Sequence, residues 1–440
     1  MQPDWKKRLL FRAAILASMA AACAADGETL DQAMSAALDY SPTLAAEREQ
    51  LAATGQEIAI GQAGYFPRVT LQGSASRGSS ASTQLVNPAP SNLGLNQQSA
   101  GYAVTLEQPL FDGLRTYNAV QEARETTDAA FEDLRAAKQR ALLDAVKAYM
   151  AVLSDRATVG LLKRSADMLA EDLDLAGKLE GRGQATRTDI DQTTARLETA
   201  RAALAGAEAT LAASESAYEL SVGHAPAALA QPSVRHVALP DSLAQVQTTT
   251  VKGHPEFAAA VHRVSAARQA VEKVRADFLP QVSLNASYAR TYSNPAQVTD
   301  SGDGSVSVQV ALPISLGGEA IAKLRQAKFV LRQRQNEAAA KRRELVTQVA
   351  SIWSGLAGLR KQADLSHRAA ISSEQALRGM RIQRKAGEKT ALDVLNAEAD
   401  LVQVKLSEIR SRSDLVVSAY ALLAGTGKLV AEAGGSEPGN

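Results

Sequence analysis

The stretch DFLPQVSLNASYAR (Asp277–Arg290) changes from a helical to a strand pattern at Pro280. The preceding residues have the spacing of an amphipathic helix, whereas the following residues alternate between apolar and polar side chains, as in a strand with one polar face. The stretch GYFPRVTLQGSASR (Gly64–Arg77) repeats this pattern around Pro67. Because proline lacks an N–H and disfavours helix in the residue before it, both prolines predict a break from helix into strand.

The composition points to long paired helices rather than to a large aromatic core. The 440 residues carry 48 basic and 47 acidic side chains, a net charge of +1, and only 4% aromatic residues. The helical stretches are rich in Ala, Gln, Glu, Arg and Leu, which is typical of long helices. The balanced charge gives no indication of a basic face, so we expect no nucleic-acid partner.

The N-terminus has the pattern of a secretory signal peptide, assigned to residues 1–24. Basic residues precede an apolar run, Ala13–Ala22, that is too short to cross a bilayer, and small residues follow it. The alternative is a lipoprotein signal in which Cys23 is the acylated residue. Since Cys23 is the only cysteine, we expect no disulfide in the exported chain.

The rest of the chain consists of two copies of one sequence repeat. Prolines recur in matched places, as Pro42 and Pro255, Pro67 and Pro280, and Pro109 and Pro313. The motif G-x-x-T-x-x-D also occurs twice, as Gly183, Thr186, Asp189 and as Gly387, Thr390, Asp393. The halves differ in length mainly between Arg77–Ser99 and Arg290–Gly304, which are rich in Ser, Asn and Gly. We interpret these two segments as exposed hairpin loops.

The first repeat is assigned to residues 25–223 and the second to residues 242–425. The predicted elements of the first are a helix at 29–63, strands at 68–76 and 101–108, a long helix at 114–180 and a return helix at 188–222. Those of the second are a helix at 242–277, strands at 281–290 and 305–312, a long helix at 318–384 and a return helix at 391–423. Pro109 and Pro313 are expected to mark the return from strand to helix. Residues 224–241 are an inter-repeat linker and 426–440 a C-terminal tail.

Each long helix holds about 67 residues and would extend about 100 Å. In the second of them an apolar residue recurs every seven positions, at Leu324, Leu331, Ala338, Leu345, Ile352 and Leu359. This spacing predicts the seam of a coiled coil.

The four predicted strands are each about ten residues long, which suits a tilted strand that crosses a membrane. Four strands cannot close a barrel, and an open edge is not tolerated in lipid. Several chains would therefore contribute to one barrel: two would give eight strands and three would give twelve with a lumen. The alternative interpretation is a soluble sheet with one face packed on a core.

The order of the motifs TLDQAMSAALDYSPTLAAER, YFPRVTLQ, QPLFDG, GxxTxxD, DFLPQVSL, LPISLGGEAIAKLRQAK and GEKTALDVLNAEADL resembles the TolC family of outer-membrane channels. The resemblance extends from Glu28 to about Leu429. It implies an α+β membrane protein: a homotrimer with a β-barrel in outer-membrane lipid, four strands per chain, continued through the periplasm by an α-barrel of long antiparallel hairpins. It also implies a periplasmic adaptor and an inner-membrane exporter, either an ABC transporter or a proton-driven pump, as partners.

The two G-x-x-T-x-x-D motifs predict the turns between the long helices and the return helices. Gly183 and Gly387 suit the left-handed position that ends a helix. The threonines are candidate N-caps and the aspartates complete a capping box, at Thr186 with Asp189 and at Thr390 with Asp393.

The resemblance implies a second role for these turns, because the channels of this family narrow there. It places Asp393, Asn396 and Asp189 at the periplasmic constriction and Lys389 and Arg384 among the contacts that hold the tip closed. Arg384 replaces an aromatic residue of the best-known member, and Asn396 replaces a second acidic residue. Three chains would then supply one ring of carboxylates, from Asp393, and we expect weaker cation selectivity and weaker block by metal ions.

Enzymatic functions find little support. The histidines (His224, His236, His254, His262 and His367) are scattered without a His-x-x-x-His pair, so we expect no metal site, no cofactor and no catalysis. The function predicted is a passive exit channel for type I protein secretion or small-molecule efflux. The alternative from another class is a periplasmic coiled-coil adaptor or scaffold without a channel.

Overall fold

The computed structural model describes residues 27–86, 89–232, 242–294, 300–314 and 317–430. The predicted signal peptide with the candidate lipidation site Cys23, residues 233–241 of the predicted linker and most of the predicted tail lie outside the described residues.

In its described residues, the first repeat contains four α-helices and two strands. They are α1 (Leu30–Tyr40), α2 (Pro42–Gln62), β1 (Arg68–Val86), β2 (Ala89–Phe111), α3 (Arg115–Glu180) and α4 (Arg187–Val222). The second repeat has the same order, with α5 (Leu243–Gly253), α6 (Pro255–Arg275), β3 (Gln281–Asn294), β4 (Asp300–Ala311), α7 (Glu319–Lys385) and α8 (Ala391–Gly425). A single 3-10 turn precedes each of β1 and β3, at Ala63–Tyr65 and Ala276–Phe278. The predicted fold class, mainly helical with four antiparallel strands, is confirmed.

The helices predicted at 29–63 and 242–277 are not continuous. The first is interrupted at Ser41, before Pro42, and the second at His254, before Pro255. Proline suits the first position of a helix, where its missing N–H is not needed, and it holds the preceding residue out of helical geometry. The two repeat-related prolines therefore start new helices within segments that the sequence pattern indicated to be single.

The strands are longer than predicted, and the segments interpreted as hairpin loops are largely strand. The β1–β2 pairing runs from Arg68 opposite Glu107 to Val86 opposite Ala89, and β3–β4 pairing reaches Tyr292. The loop interpretation was wrong because it relied on polar side-chain composition. Backbone N–H and C=O groups form the ladder whatever the side chains are, so a polar hairpin continues as strand where water surrounds it.

The prediction that Pro109 marks the return from strand to helix was wrong. This proline lies inside β2 opposite Ser283, and the register with β3 shifts between Pro109 and Phe111. A proline cannot donate to the ladder and is accommodated at such an irregularity. Pro67 and Pro280 directly precede β1 and β3.

The chain forms two compact units, and each draws on both repeats. Unit 1 comprises Met1–Arg48, Asp133–Phe257 and Lys341–Asn440; unit 2 comprises Glu49–Glu132 and Ala258–Ala340. The sequence repeats are therefore not separate domains.

Unit 1 has an enclosed core in which Tyr149 and Tyr218 are fully buried among apolar side chains. The Tyr149 hydroxyl donates to the carbonyls of Glu28, at 2.7 Å, and Ala230, at 2.5 Å. Burial is the main cause that raises the pKa of Tyr149 to about 12. This tyrosine fixes two chain segments that meet in a short parallel bridge between Glu28 and Leu229.

The heptad positions of α7 have the burial expected of a coiled-coil seam. Ala338 and Leu345 are buried, the other four predicted seam residues are partly buried, and most residues between them are exposed. Among the described helices, none combines the length and the apolar character that crossing a bilayer requires.

Unit 2 contains an antiparallel sheet with strand order β1-β2-β3-β4. One face carries rows of apolar side chains, such as the row Val69, Leu106, Ala286 and Val306. The adjacent row on the opposite face is polar and consists of Thr70, Thr105, Ser287 and Ser305. The sheet therefore has one apolar and one polar face.

Candidate functional site

The turns between α3 and α4 and between α7 and α8 have the same backbone geometry. Gly183 and Gly387 take the predicted left-handed conformation, with φ of 72° and 82°. The N–H of Gln184 donates to the Leu179 carbonyl at 2.9 Å, and the second turn makes the corresponding bond, also at 2.9 Å. In each turn the glycine N–H also donates to the carbonyl three residues before it, at 2.8 Å for Gly183 and 3.0 Å for Gly387. The two hydrogen bonds together form the Schellman motif that ends each long helix.

A capping box starts each return helix. The Thr186 hydroxyl accepts from the Asp189 N–H at 3.2 Å, while the Asp189 carboxylate accepts from the Thr186 N–H at 2.9 Å and from its hydroxyl at 2.8 Å. Thr390 and Asp393 form the same bonds, at 3.2, 2.9 and 2.9 Å. The motif therefore satisfies N–H groups that a helix start would otherwise leave unpaired.

These bonds also hold both carboxyl groups in the ionised form. The hydrogen bond from the Thr186 backbone, followed by that from its hydroxyl, lowers the pKa of Asp189, and the charge of Arg384 contributes in the same direction. The Thr390 backbone and hydroxyl lower the pKa of Asp393 in the same way. Both residues are therefore negatively charged at neutral pH and remain so in mild acid.

Three of the five residues that the resemblance places at the constriction or among the tip contacts lie around one cavity of about 290 Å³ between the two turns. Asp189, Arg384 and Lys389 line it, together with Asp172 of α3. The Arg384 guanidinium lies 3.7 Å from the Asp172 carboxylate, and both side chains are about one-quarter exposed. Charges of both signs from the two hairpins of one chain therefore meet in this cavity.

The other two predicted constriction residues, Asp393 and Asn396, do not line that cavity. The Asn396 side-chain oxygen accepts a hydrogen bond from Arg196 of α4 at 2.9 Å. Arg196 was not selected from the sequence, although it follows Asp189 by seven residues and so lies two turns further along a similar face. That spacing is the signal that identifies it.

Behind the turns, α7 and α8 are joined by an ion pair that the sequence analysis also missed. An Arg381 guanidinium nitrogen donates to Glu398 at 2.7 Å, and only 4% of the Glu398 side chain is exposed. An apolar cluster holds the same region of the hairpins: Leu169, Leu197 and Leu395. A carboxylate buried beside apolar packing needs its cation, so this pair fixes the relative position of the two helices.

A separate group of side chains that could ligate a metal ion lies in unit 2. Glu125 and Asp128 of α3 and His262 of α6 bring their ligand atoms within 4.8 Å of one another. The expectation that no metal site exists was based on local spacing, and this group comes from two helices far apart in sequence.

Comparisons with known proteins agree with this architecture. A family model described as outer membrane efflux protein matches residues 33–224 and 249–428. The outer membrane efflux protein BepC of Brucella suis is 33% identical over 413 residues, which cover 93% of this chain and 87% of that protein. The alkaline protease secretion protein AprF of Pseudomonas aeruginosa is 28% identical and covers 88% and 82%.

Among solved structures, the Campylobacter jejuni outer membrane channel CmeC superposes with a TM-score of 0.80 at 15% identity. The match covers 92% of this chain and 86% of that one, so the fold is shared over nearly the whole chain. By the family model and by its relatives, this chain belongs to the outer membrane efflux protein family.

Proposed function

We propose that this protein is a passive exit duct in the outer membrane, shared by three copies of the chain, and that it serves a tripartite export system. The observation that carries the proposal is the sheet of unit 2, which has one exposed apolar face, one polar face and, among the described residues, two unpaired edges.

The exposed apolar face is more extensive than soluble monomers commonly show. From Val306 to Ile314, in the second half of β4 and the segment after it, every second residue is apolar and more than half exposed: Val306, Val308, Val310, Leu312 and Ile314. A contiguous apolar patch of this kind marks a contact with another protein or with lipid. An apolar-out, polar-in alternation is the pattern of a membrane strand.

The length of the apolar band fits a bilayer. Within β4 it runs from Gly304, opposite Tyr288, to Ala311, which at a tilt of about 40° corresponds to about 18 Å. The exposed Leu312 and Ile314 continue it beyond the strand, toward the roughly 25 Å of the apolar band of such barrels. Tyr102, Tyr288 and Tyr292 follow at one end, where aromatic rings commonly mark the membrane–water interface. The band therefore has the height and the border of a lipid-facing surface.

The edges of the sheet explain why several copies are needed. Within the described residues, β1 and β4 each pair with a strand on one side only. An unpaired edge in lipid leaves N–H and C=O groups without partners, so the sheets of neighbouring copies would close on one another. Three copies would supply twelve strands, enough to leave a lumen that the polar faces line. The homotrimer is thus part of the proposal.

The helical hairpins would form the periplasmic tunnel of this duct, and the turns would contact a periplasmic adaptor linked to an inner-membrane ABC or proton-driven exporter. The relatives support two substrate classes. One is named as an efflux protein and another as a protease secretion protein. We therefore propose small-molecule efflux or type I protein secretion as the task of the complex.

A pair of adjacent substitutions tests the membrane placement. Val308→Arg would put a charge on the apolar face, at a cost of about 2–4 kcal/mol per chain near the bilayer centre, whereas Ser307→Arg would put it on the polar face. Both side chains are exposed in the single chain, so its own packing does not distinguish them. Membrane fractionation should show loss of outer-membrane assembly for Val308→Arg alone. Equal behaviour of the two variants, or a wild-type protein that fractionates as soluble, would favour the scaffold alternative.

The same proposal assigns the charges at the turns to gating. Asp189, Lys389 and Arg384 would restrain the closed tip, and Asp393 would line the lumen as a ring of carboxylates. Lys389→Ala and Asp189→Ala should raise single-channel conductance, and Asp393→Asn should reduce cation preference measured as the reversal potential. Unchanged conductance would remove the first two residues from the gate, and an unchanged reversal potential would remove Asp393 from the pore.

A further inference from the structure

We propose that Glu125, Asp128 and His262 form a binding site for a divalent transition-metal ion of the zinc class. The site lies in unit 2, between α3 and α6, and it is independent of the proposed transport function. The donor set consists of one imidazole nitrogen and two carboxylates, whose ligand atoms all lie within 4.8 Å of one another.

The helix geometry brings these three groups together. Glu125 and Asp128 are three residues apart on α3, so their side chains leave the same face of the helix. The His262 Nδ1 lies 2.9 Å from a Glu125 carboxylate oxygen. His262 and Glu125 are about one-third exposed, and Asp128 is exposed, so an ion can reach the site from solvent.

The distances suit a small ion after minor side-chain adjustment. Zinc binds histidine nitrogen at about 2.0–2.1 Å and carboxylate oxygen at about 2.0–2.2 Å, which places neighbouring ligand atoms of a tetrahedral site about 3.3 Å apart. The His262–Glu125 contact, a hydrogen bond, is already close to that spacing, and an ion bound to both atoms replaces the proton between them, which is released to solvent. Asp128 has rotamer freedom to approach, because its carboxylate takes part in none of the ion pairs found among the described residues.

The chemistry of the donors selects the ion. An imidazole favours zinc, copper, nickel and cobalt, whereas magnesium and calcium prefer sites built from oxygen alone. Two carboxylates and a neutral imidazole balance the double positive charge. Three protein ligands also leave a fourth position for water, which gives reversible binding rather than a closed structural site.

A second histidine–carboxylate pair in the molecule shows what the site requires. His367 Nδ1 lies 2.7 Å from Glu408, as close as His262 is to Glu125. There, however, the ammonium group of Lys405 lies 3.3 Å from the same carboxylate and 2.8 Å from Glu374. The Lys405 ammonium thus already supplies a positive charge to this carboxylate, so His367 serves as a matched control.

Binding would connect the two repeats, because α3 belongs to the first and α6 to the second. An ion that binds only the folded chain stabilises it by an amount that grows with the logarithm of its concentration above the dissociation constant. We therefore expect zinc to raise the unfolding temperature of the intact protein and magnesium to leave it unchanged.

The test uses the full-length protein in detergent, freed of metal by chelator and dialysis. Calorimetric titration with zinc chloride should give one site per chain for the wild type and for His367→Gln. His262→Gln should abolish this binding and Asp128→Asn should weaken it at least tenfold. With cobalt, the wild type should develop a visible absorption band that His262→Gln lacks.

Circular dichroism identifies any variant that has failed to fold, and Asp128→Asn, an exposed change, serves as the second line of evidence. The proposal is overturned if the wild type does not bind zinc at 100 μM, used here as roughly the weak limit of a specific site. Binding that persists in His262→Gln, or magnesium binding of equal strength, would overturn it as well.

Discussion

Units 1 and 2 differ in how far their apolar side chains are exposed to solvent. In unit 1, Leu422 and Val349 are enclosed by other side chains of the same chain, with 0% and 1% of their surface exposed. In unit 2, Leu71 and Val306 of the sheet are 72% and 75% exposed. Within the part of the chain that the structure describes, the protein therefore has both an enclosed core and an apolar surface that no other segment covers.

This difference shows where each unit obtains its stability. Burial of apolar surface contributes about 25 cal/mol per Å² only when water is removed from it. Unit 1 gains that energy within the single chain. The apolar face of unit 2 gains it only when lipid or further protein covers the sheet, so its stability depends on the environment in which the protein assembles.

The largest effect is expected when an enclosed leucine of unit 1 is truncated and the result is compared with truncation of an exposed leucine of the sheet. Leu422→Ala would leave a cavity among Val246, Val349 and Leu356 and should cost about 3 kcal/mol of unfolding free energy. Leu71 faces outward, so Leu71→Ala opens no internal cavity; it loses only the contact with the surrounding detergent and should cost about 1 kcal/mol. The measurement is guanidinium unfolding of the detergent-solubilised protein, followed by helical circular dichroism. Similar losses in both variants would contradict the proposed difference in how the two units are stabilised.

Ion pairs should follow the same division. Arg381→Ala would leave the carboxylate of Glu398 buried without its cation and should cost about 2 kcal/mol, less than for a fully buried pair because Arg381 is half exposed. Arg290 pairs with Asp300 on the sheet at 2.6 Å, but both are about 40% exposed, so Arg290→Ala should leave the unfolding midpoint unchanged.

The double variant Arg381→Ala/Glu398→Gln provides the control for the buried pair. Since Glu398→Gln removes the charge that Arg381 neutralises, the double variant should recover part of the lost stability. If it is less stable than Arg381→Ala, the uncompensated charge is not the cause of the loss.

The sequence predicted the main elements because their signals are local. Alternation after Pro67 and Pro280 indicated the strands, and the seven-residue spacing from Leu324 to Leu359 indicated the long second helix. The strand ends were missed because Ser- and Asn-rich segments carry no alternation. The breaks at Pro42 and Pro255 could have been predicted, since proline restricts the preceding residue in any helix.

The functional-site features likewise divide into those with a local sequence signal and those without one. The capping boxes at Thr186 and Thr390 were readable, because each motif lies within one turn of a helix. The Arg381–Glu398 pair and the approach of His262 to Glu125 were not readable, because they depend on which helices pack together and in what register. A single sequence contains no local signal for such contacts.

Loss of a cap should have a smaller effect than loss of the buried pair. Thr186→Ala and Thr390→Ala each remove the hydroxyl that accepts from an aspartate N–H, and each should cost about 1 kcal/mol. Thr→Ser at the same positions keeps the hydroxyl and should restore most of it. The caps are exposed, so this effect would show that unit 1 is stabilised by more than burial. Equal losses in the serine and alanine variants would instead implicate the threonine methyl group.

The smallest effect is expected from a titratable group enclosed in unit 1. His254 is buried at the break between α5 and α6, and burial, together with the charge of Lys341, lowers its pKa from the ordinary value of 6.5 despite the opposite influence of Glu256. The folded chain therefore binds this proton less readily than the unfolded chain does.

The sign of the pH effect follows from that difference. Above pH 6.5 the histidine is mainly neutral in both states and contributes nothing, whereas below this value the unfolded chain takes up the proton first and stability falls. The wild type should thus lose more stability than His254→Gln between pH 7 and pH 5, measured as the shift in unfolding midpoint. His367→Gln, which changes a half-exposed histidine, serves as the comparison. An equal pH dependence in wild type and His254→Gln would mean that burial in unit 1 does not disfavour the protonated form of His254.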